Sequence, residues 1–228
     1  MAIVSPARAT GHRLVDSAAR DPRRAGAFAE EHGVERIVET YDRLVNDPEI
    51  DVVYNPLPNG LHAHWNIRAL RAGKHVLSEK PSASNAAEAD AVAREVSVAG
   101  TTFMEGFHYL FHPVMHRVID LVESGALGRI QHVDTMVAIP APPDDDPRWS
   151  LALAGGAVMD LGCYSLHAQR MLGALLGGPP AVVAARAGTR AGRPEVDEWL
   201  DADLVFPDGA TGSAPVSYTH LTLPTNRE

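Results

Sequence analysis

The 228-residue sequence predicts an α/β protein, with a parallel sheet covered on both faces by helices and a second domain of α+β type after it. Three observations carry that prediction. From residue 36 to residue 104, short β-branched strands alternate with helical stretches of about 10 to 15 residues, the pattern of βαβ units. The stretch Lys74-His75-Val76-Leu77-Ser78-Glu79-Lys80-Pro81 runs a strand straight into a charged turn, and open parallel sheets bind their ligands just past the carboxyl ends of strands. Beyond Phe111 the strands lengthen and no longer need to pair in parallel.

The elements follow in order. An apolar pair, Leu14-Val15, precedes a helix over 23–32, with Asp21 as N-cap, Pro22 in the first helical position and Gly33 as the stop. A short strand at 36–38, a helix at 41–46 and a strong strand at 51–55 come next. Residues 61–72 form a helix that Asn59 caps and Gly73 ends. The strand 75–78 leads to a helix over 86–99, with Ser84 as N-cap and Gly100 at its end, and then to a strand at 101–104. In the second half a helix spans 113–124, a half-exposed strand 130–139 and an irregular loop 140–154. A long, mostly apolar helix over 156–176 carries Asp160, Tyr164 and His167. Strands at 181–187 and 201–206 close the pattern, with Pro207-Asp208-Gly209 as a turn.

Both ends read as unusual. A dinucleotide-binding sheet begins with a strand and a Gly-rich turn that cradles the pyrophosphate, whereas residues 1–11 resemble the tail of the helix that follows such a turn. With that strand absent, its two neighbours lose a shared partner and expose backbone groups. Residues 217–228 break the Ala-, Arg- and Gly-rich style of the rest, and are read as a non-native tail resembling a translated sequencing adapter. The domains expected are therefore 1–107, a partial dinucleotide-binding domain, 108–216, a partial substrate and oligomerisation domain, and the tail.

Composition excludes several classes. At 45% hydrophobic and 21% charged residues the chain is globular, and a net charge of -9 argues against a nucleic-acid partner. A single cysteine, Cys163, rules out an intrachain disulfide framework and a cysteine-built zinc site. The histidine pairs His62/His64 and His108/His112 lack a carboxylate at a zinc-protease spacing, so no metal is expected. No run of about 18 apolar residues exists, so no membrane partner is expected. Cytoplasmic localisation is expected, with the periplasm left open because the N-terminus reads as truncated.

The chemistry-bearing residues stand out against this background. Only two lysines occur, Lys74 and Lys80, and arginine supplies nearly all other positive charge. A surface cation at 80 could have been arginine, but a proton-transferring amine could not. The alternative is that both lysines are simply solvated. Asp160 and Tyr164 stand four apart on the predicted helix, where a carboxylate and a phenol share one face. A neighbouring ammonium would lower the phenol's pKa, making Tyr164 and Lys80 an acid-base couple; otherwise Asp160 and Tyr164 form a buried hydrogen-bonded pair.

Three motifs in order resemble the glucose-fructose oxidoreductase and inositol dehydrogenase family, often written Gfo/Idh/MocA. They are Asn55-Pro56-Leu57-Pro58-Asn59 with His62, then Glu79-Lys80-Pro81, and then the stretch from Gly155 to Tyr164 that reads GGAVMDLGCY. The chain most resembles the dimeric dihydrodiol dehydrogenase branch. The resemblance implies a Rossmann domain plus an open-sheet domain that shapes the substrate site and forms homodimer or homo-oligomer contacts. It also implies Lys80, Tyr164 and Asp160 as the catalytic set, with hydride moving between a nicotinamide cofactor, NADP or NAD, and a hydroxyl or carbonyl of a sugar or cyclic diol. Cofactor contacts fall on Arg20, Pro56, Leu57, Asn59, His62, Glu79 and Lys80, with His62 also readable as a packed helix residue and Arg20 as a helix-start or solvated charge. A cation at Arg20 suits the 2′-phosphate of NADP. Arg148 and Trp149 are candidates to line the substrate pocket, and Leu110 stands where the family often has arginine. The alternatives are a non-catalytic ligand-sensing or scaffold relative, and a fragment unable to bind cofactor alone.

Overall fold

The computed structural model describes residues 3–218, which divide between two compact units. Within the described residues the first takes 3–55, 64–78 and 90–104, and the second 56–63, 79–89 and 105–218. The turns after the strands at 52–55 and 75–78 thus group with the C-terminal half of the chain rather than with the strands that precede them.

In the first unit, helix α1 (Val4–Ala9) leads to β1 (Asp16–Ser17), which pairs in parallel with β2 (Arg36–Ile37). Between them lies α2 (Pro22–His32), whose N-cap Asp21 accepts a hydrogen bond from the Arg23 backbone N–H. After α3 (Tyr41–Asn46), β3 (Val52–Asn55) pairs in parallel with β4 (His75–Ser78), placing Asn55 opposite Ser78. The order β3-β4-β5 is completed by β5 (Phe103–Glu105). Among the described residues the β1-β2 pair and this three-stranded sheet share no strand, as the sequence predicts. The core is Val15, Val45, Ile50, Val53, Ala69, Leu70 and Val76. Helix α4 (Asn59–Arg71) contributes Asn66, which is fully buried: it accepts from Asn55 and donates to Ser78, tying together the ends of β3 and β4.

Two caps differ from expectation. Asn59 is the first residue of α4 rather than its cap, because its side-chain amide donates to the Ala154 carbonyl instead. For α5 (Ala86–Ala99) the side chain that accepts from the Glu88 N–H is Asn85, while Ser84 donates both its N–H and its hydroxyl to the Glu88 carboxylate.

The second unit is built on a mixed six-stranded sheet, with the order β6-β10-β9-β11-β7 and β8 also paired to β9. After α6 (Pro113–Glu123), the predicted strand 130–139 is split into β6 (His132–Asp134) and β7 (Val137–Ala138), which pair in parallel with different partners. Strands β8 (Ala181–Arg190) and β9 (Arg193–Val205) form one long hairpin closed at Gly192, whose φ of 79° is the left-handed value such a tight turn needs. The charged stretch 193–200 hides most of β9 from a hydropathy reading. Strands β10 (Thr211–Ser213) and β11 (Val216–Ser217) also escape it, being too short to show alternation. Ser217 and Tyr218, expected in the tail, lie within the fold: Ser217 pairs in β11 and Tyr218 is fully buried. The remainder of that tail lies outside the described residues. Among the described residues no helix is long and apolar enough to cross a membrane.

The predicted helix 156–176 is a π-helical turn over Val158–Gly162 continuing into α7 (Cys163–Gly173). Gln169 pins α7 to the sheet, its fully buried amide donating to the carbonyls of Val133 and Ser213 and to the Thr135 hydroxyl. Gln169→Ala takes a donor from the Val133 carbonyl and the Thr135 hydroxyl and opens a cavity under α7, while the Ser213 carbonyl keeps the Thr135 N–H at 3.0 Å. The expected loss is about 3 kcal/mol in urea unfolding, and a loss under ~1 kcal/mol would show that the amide does not hold the helix.

Candidate active site

Lys80 occupies the turn that follows β4, ahead of a cis Lys80–Pro81 peptide. Its Nζ donates to the Asp160 carbonyl oxygen at 2.5 Å and to Asp160 Oδ1 at 3.0 Å. Both side chains are nearly buried, at 11% and 12% exposure. The same ammonium sits 4.9 Å from the centre of the Tyr164 ring, a cation-π distance. Lys80, Asp160 and Tyr164 therefore meet, and all three belong to the second unit. Lys74 is different in kind: it is buried and its Nζ holds the carbonyls of Asp47 and Ile50, each at 2.7 Å. Neither lysine is merely solvated.

The backbone around Asp160 explains the convergence. Gly155 and Gly156 let the chain turn back on itself, with Gly155 N–H bonded to Ser150 O and Gly156 N–H to Arg148 O, both at 2.9 Å. A Cβ on Gly155 would strike the Arg148 carbonyl, and Gly156, at φ 112°, would strike the Asp197 carboxylate. Asp197 in turn accepts from Val158 N–H at 2.7 Å, fixing the start of the π turn, and burial pushes its pKa up. The second Asp160 oxygen accepts from Arg148 Nε at 2.9 Å and from the Tyr218 hydroxyl at 3.1 Å.

Tyr164 is where expectation and structure part. Its pKa is pushed up to about 12, first by burial and then by Cys163, Glu79 and Asp160, rather than lowered by an ammonium. The physical reason is geometric: Lys80 lies against the ring face, and its charge is spent on Asp160. Asp160 and Tyr164 are not bonded to each other in the way the alternative reading supposed; Lys80 stands between their roles.

The cofactor candidates divide between the units. Pro56, Leu57 and Asn59 follow β3, and Glu79 and Lys80 follow β4, so the two turns extend adjacent parallel strands whose last residues pair. Arg20 is exposed just past β1 in the first unit, and its backbone N–H donates to the Tyr41 hydroxyl. Of the two readings of His62, the structure takes the packed one. It is 1% exposed, and its ring nitrogens lie 2.6 Å from the Pro81 carbonyl and 2.5 Å from the Leu57 carbonyl. It clamps the two turns together, with both ring nitrogens engaged by backbone carbonyls.

Sequence reasoning assigned no role to His167, which completes an aromatic group beside Tyr164. His167 stacks on Phe107 at 3.9 Å and shares a 2.6 Å hydrogen bond with the Tyr109 hydroxyl, while Phe107 meets Tyr164 edge-on at 5.7 Å. Burial lowers the His167 pKa and raises that of Tyr109 to about 12. The signal was present, since His167 stands three residues beyond Tyr164 and hence on the same side of the helix. Cys163, beside Tyr164, is raised to about 11 by burial and is a packed thiol rather than a nucleophile.

Against this geometry the likeness to known proteins is specific. Residues 4–107 match the family model described as "Oxidoreductase family, NAD-binding Rossmann fold", and residues 115–224 match the "GFO/IDH/MocA C-terminal domain". A D-xylose 1-dehydrogenase (NADP(+)) from Haloferax volcanii is 39% identical over 95% of this chain and 65% of its own. Among solved structures, a 3-ketoreductase from Actinomadura kijaniata in complex with NADP and TDP-benzene superposes with a TM-score of 0.83 at 34% identity, covering 92% of this chain and 63% of that one. An aldose-aldose oxidoreductase from Caulobacter crescentus superposes with a TM-score of 0.83 at 34% identity, covering 96% and 68%. A parallel α/β unit and a mixed-sheet unit, the second carrying both the lysine turn and the Gly-Gly-Asp-Tyr helix start, define a two-domain oxidoreductase scaffold. The chain belongs to the Gfo/Idh/MocA family. It spans slightly under two thirds of the length of the xylose dehydrogenase.

The raised phenols give a direct test by ultraviolet titration of tyrosinate. Tyr109 and Tyr164 should ionise near pH 12, about two units above a free phenol, and Tyr164→Phe should remove part of that late amplitude. Between pH 10 and 12 the unfolded chain loses these protons while the folded one keeps them, so stability is full below pH 10 and falls across that window. Complete titration by pH 10.5 in the folded protein would contradict the burial described.

Proposed function

We propose that this chain carries the catalytic part of a nicotinamide-dependent oxidoreductase acting on a hydroxyl or carbonyl of a sugar or cyclic diol. The observation that carries the reading is the meeting of Lys80, Asp160 and Tyr164, at 3.0 Å and 4.9 Å from one ammonium. Of the three N–H bonds on Lys80, two go to Asp160, which leaves one for a substrate oxygen. Tyr164, held protonated by burial, is an acid suited to giving a proton to a carbonyl oxygen as it becomes an alcohol. Asp160 holds the ammonium in place. When bound, a reduced nicotinamide supplies the hydride for that conversion.

The residues present fit the nicotinamide and ribose end of such a cofactor. Two adjacent turns at strand carboxyl ends offer the half-buried Glu79 and the amide of Asn59, with His62 bracing both. Arg20, exposed past β1, favours NADP over NAD, in keeping with the xylose dehydrogenase relative. No Gly-x-Gly-x-x-Gly pattern occurs in the 228 residues, so the pyrophosphate contact is not assigned to them.

Relatives support both the site and the substrate class. The Actinomadura 3-ketoreductase has been solved with one lysine replaced by alanine and one tyrosine by phenylalanine, and those two positions are separated by the same number of residues as Lys80 and Tyr164. Sugar substrates are preferred over diols, since the relatives include xylose, deoxysugar and aldose enzymes, with a dihydrobenzenediol dehydrogenase from Xenopus tropicalis at 30% identity. Strand β8 is exposed along most of its length, with Val182 at 58% and Val183 at 62%, which supports pairing of two copies through this sheet.

The test follows NADPH oxidation at 340 nm with keto-sugar substrates. Lys80→Ala and Tyr164→Phe should each lower turnover by about 10²- to 10⁴-fold while the fluorescence of bound NADPH is retained. Variants that keep turnover within a few-fold of the parent would remove these residues from the chemistry.

A further inference from the structure

The reacting ammonium has a competitor that the proposed chemistry does not use. Arg148 Nε donates to Asp160 Oδ2 at 2.9 Å, while Lys80 holds Oδ1 at 3.0 Å, so one carboxylate is shared between two cations. Arg148 is no loose surface group, although its side chain is 47% exposed. Asp146 caps the 3-10 turn Pro147–Trp149, accepting from Arg148 N–H at 2.9 Å and from its Nη1 at 3.1 Å. The Arg148 carbonyl is fixed by Gly156 N–H. The next residue, Trp149, is buried, donates its indole N–H to Pro142 O, and carries the Arg190 guanidinium 4.9 Å above its ring. Arg190 in turn pairs with Asp144 at 2.9 Å, locking the tip of the β8-β9 hairpin onto the same loop.

We propose that Arg148 is a positioning residue for the reaction: its guanidinium takes one oxygen of Asp160, so that Lys80 is left with the other and keeps an N–H for substrate. This rests on the oxidoreductase reading above. A planar guanidinium suits the task because it binds two carboxylates in fixed directions, here Asp160 and Asp146, where a lysine would supply a single mobile charge. Among the described residues the Asp160 carboxylate is hydrogen-bonded by Lys80, Arg148 and the Tyr218 hydroxyl, and of these Arg148 is the second positive charge. Without it, the whole carboxylate charge falls on the Lys80 ammonium, a few ångströms away in a nearly buried site. That ammonium then closes on Asp160, and its N–H groups are less available to any other partner.

Two lysines make this measurable without turnover. Brief treatment of the folded chain with acetic anhydride, read by mass spectrometry, gives the labelling of Lys80 relative to Lys74, whose carbonyl contacts lie far along the chain from Arg148. Arg148→Gln should lower the Lys80 to Lys74 ratio about threefold or more, and Arg148→Lys about twofold. A ratio that stays at the wild-type value or rises, in whichever variant folds, overturns the proposal. Where turnover is measured, Arg148→Gln should cut kcat about tenfold with KM within about twofold, and the opposite split, KM raised with kcat kept, also overturns it. Absence of NADPH oxidation in the wild-type chain would sink the oxidoreductase reading separately, and the labelling ratio does not depend on it.

Discussion

The arrangement turns on a nearly buried ion pair. Withdrawing Lys80 and Asp160 from water is costly, and their attraction repays that cost only where every oxygen and N–H finds a partner. Here the lysine takes two acceptors from one residue, and the leftover carboxylate oxygen is met by Arg148 and Tyr218. Such a pair tolerates little: removing either charge leaves the other stranded, which is why the surrounding backbone is so closely specified. Gly155 and Gly156, the Asp197 contact with Val158 and the π turn all serve to bring the Asp160 carbonyl and carboxylate to the same cation.

The phenol is governed by the same balance. An ammonium lowers a neighbour's pKa only if its charge is available, and this one is already neutralised. Burial then dominates, and Tyr164, like Tyr109, is held as a neutral acid. The aromatic wall of Phe107, Tyr109 and His167 excludes water from one side of Tyr164 and supplies no compensating positive charge, since burial also lowers the pKa of His167.

Much of this was legible in the sequence, and the failures have physical causes. The βαβ half was readable because its strands are apolar and its caps obey side-chain chemistry, as Asp21 and Gly33 do. Lys80, Asp160 and Tyr164 were readable because a scarce residue type and a fixed spacing mark them. The second half was read less well. Strand β9 carries Glu195, Asp197 and Glu198, charges that mask the strand from a hydropathy reading even where Asp197 turns inward, and β10 and β11 are held by pairing rather than by their own propensity. The motif leaves His62 readable either as a cofactor contact or as a packed helix residue, and only burial, which a motif does not show, separates the two. Arg148 was legible as a residue of the site, but its division of a carboxylate was not, since that depends on a chain reversal at Gly155 and Gly156.

The β8-β9 hairpin, with its tight turn at Gly192, has a consequence for how the molecule comes together. Its contacts close a short loop and lose little chain entropy, whereas β6 meets β10 across 79 residues and Lys80 reaches Asp160 across 80. By that measure the hairpin is a natural early nucleus and the ion pair a late arrival. A chain interrupted during folding would then hold a formed sheet corner and no assembled Lys80–Asp160 pair.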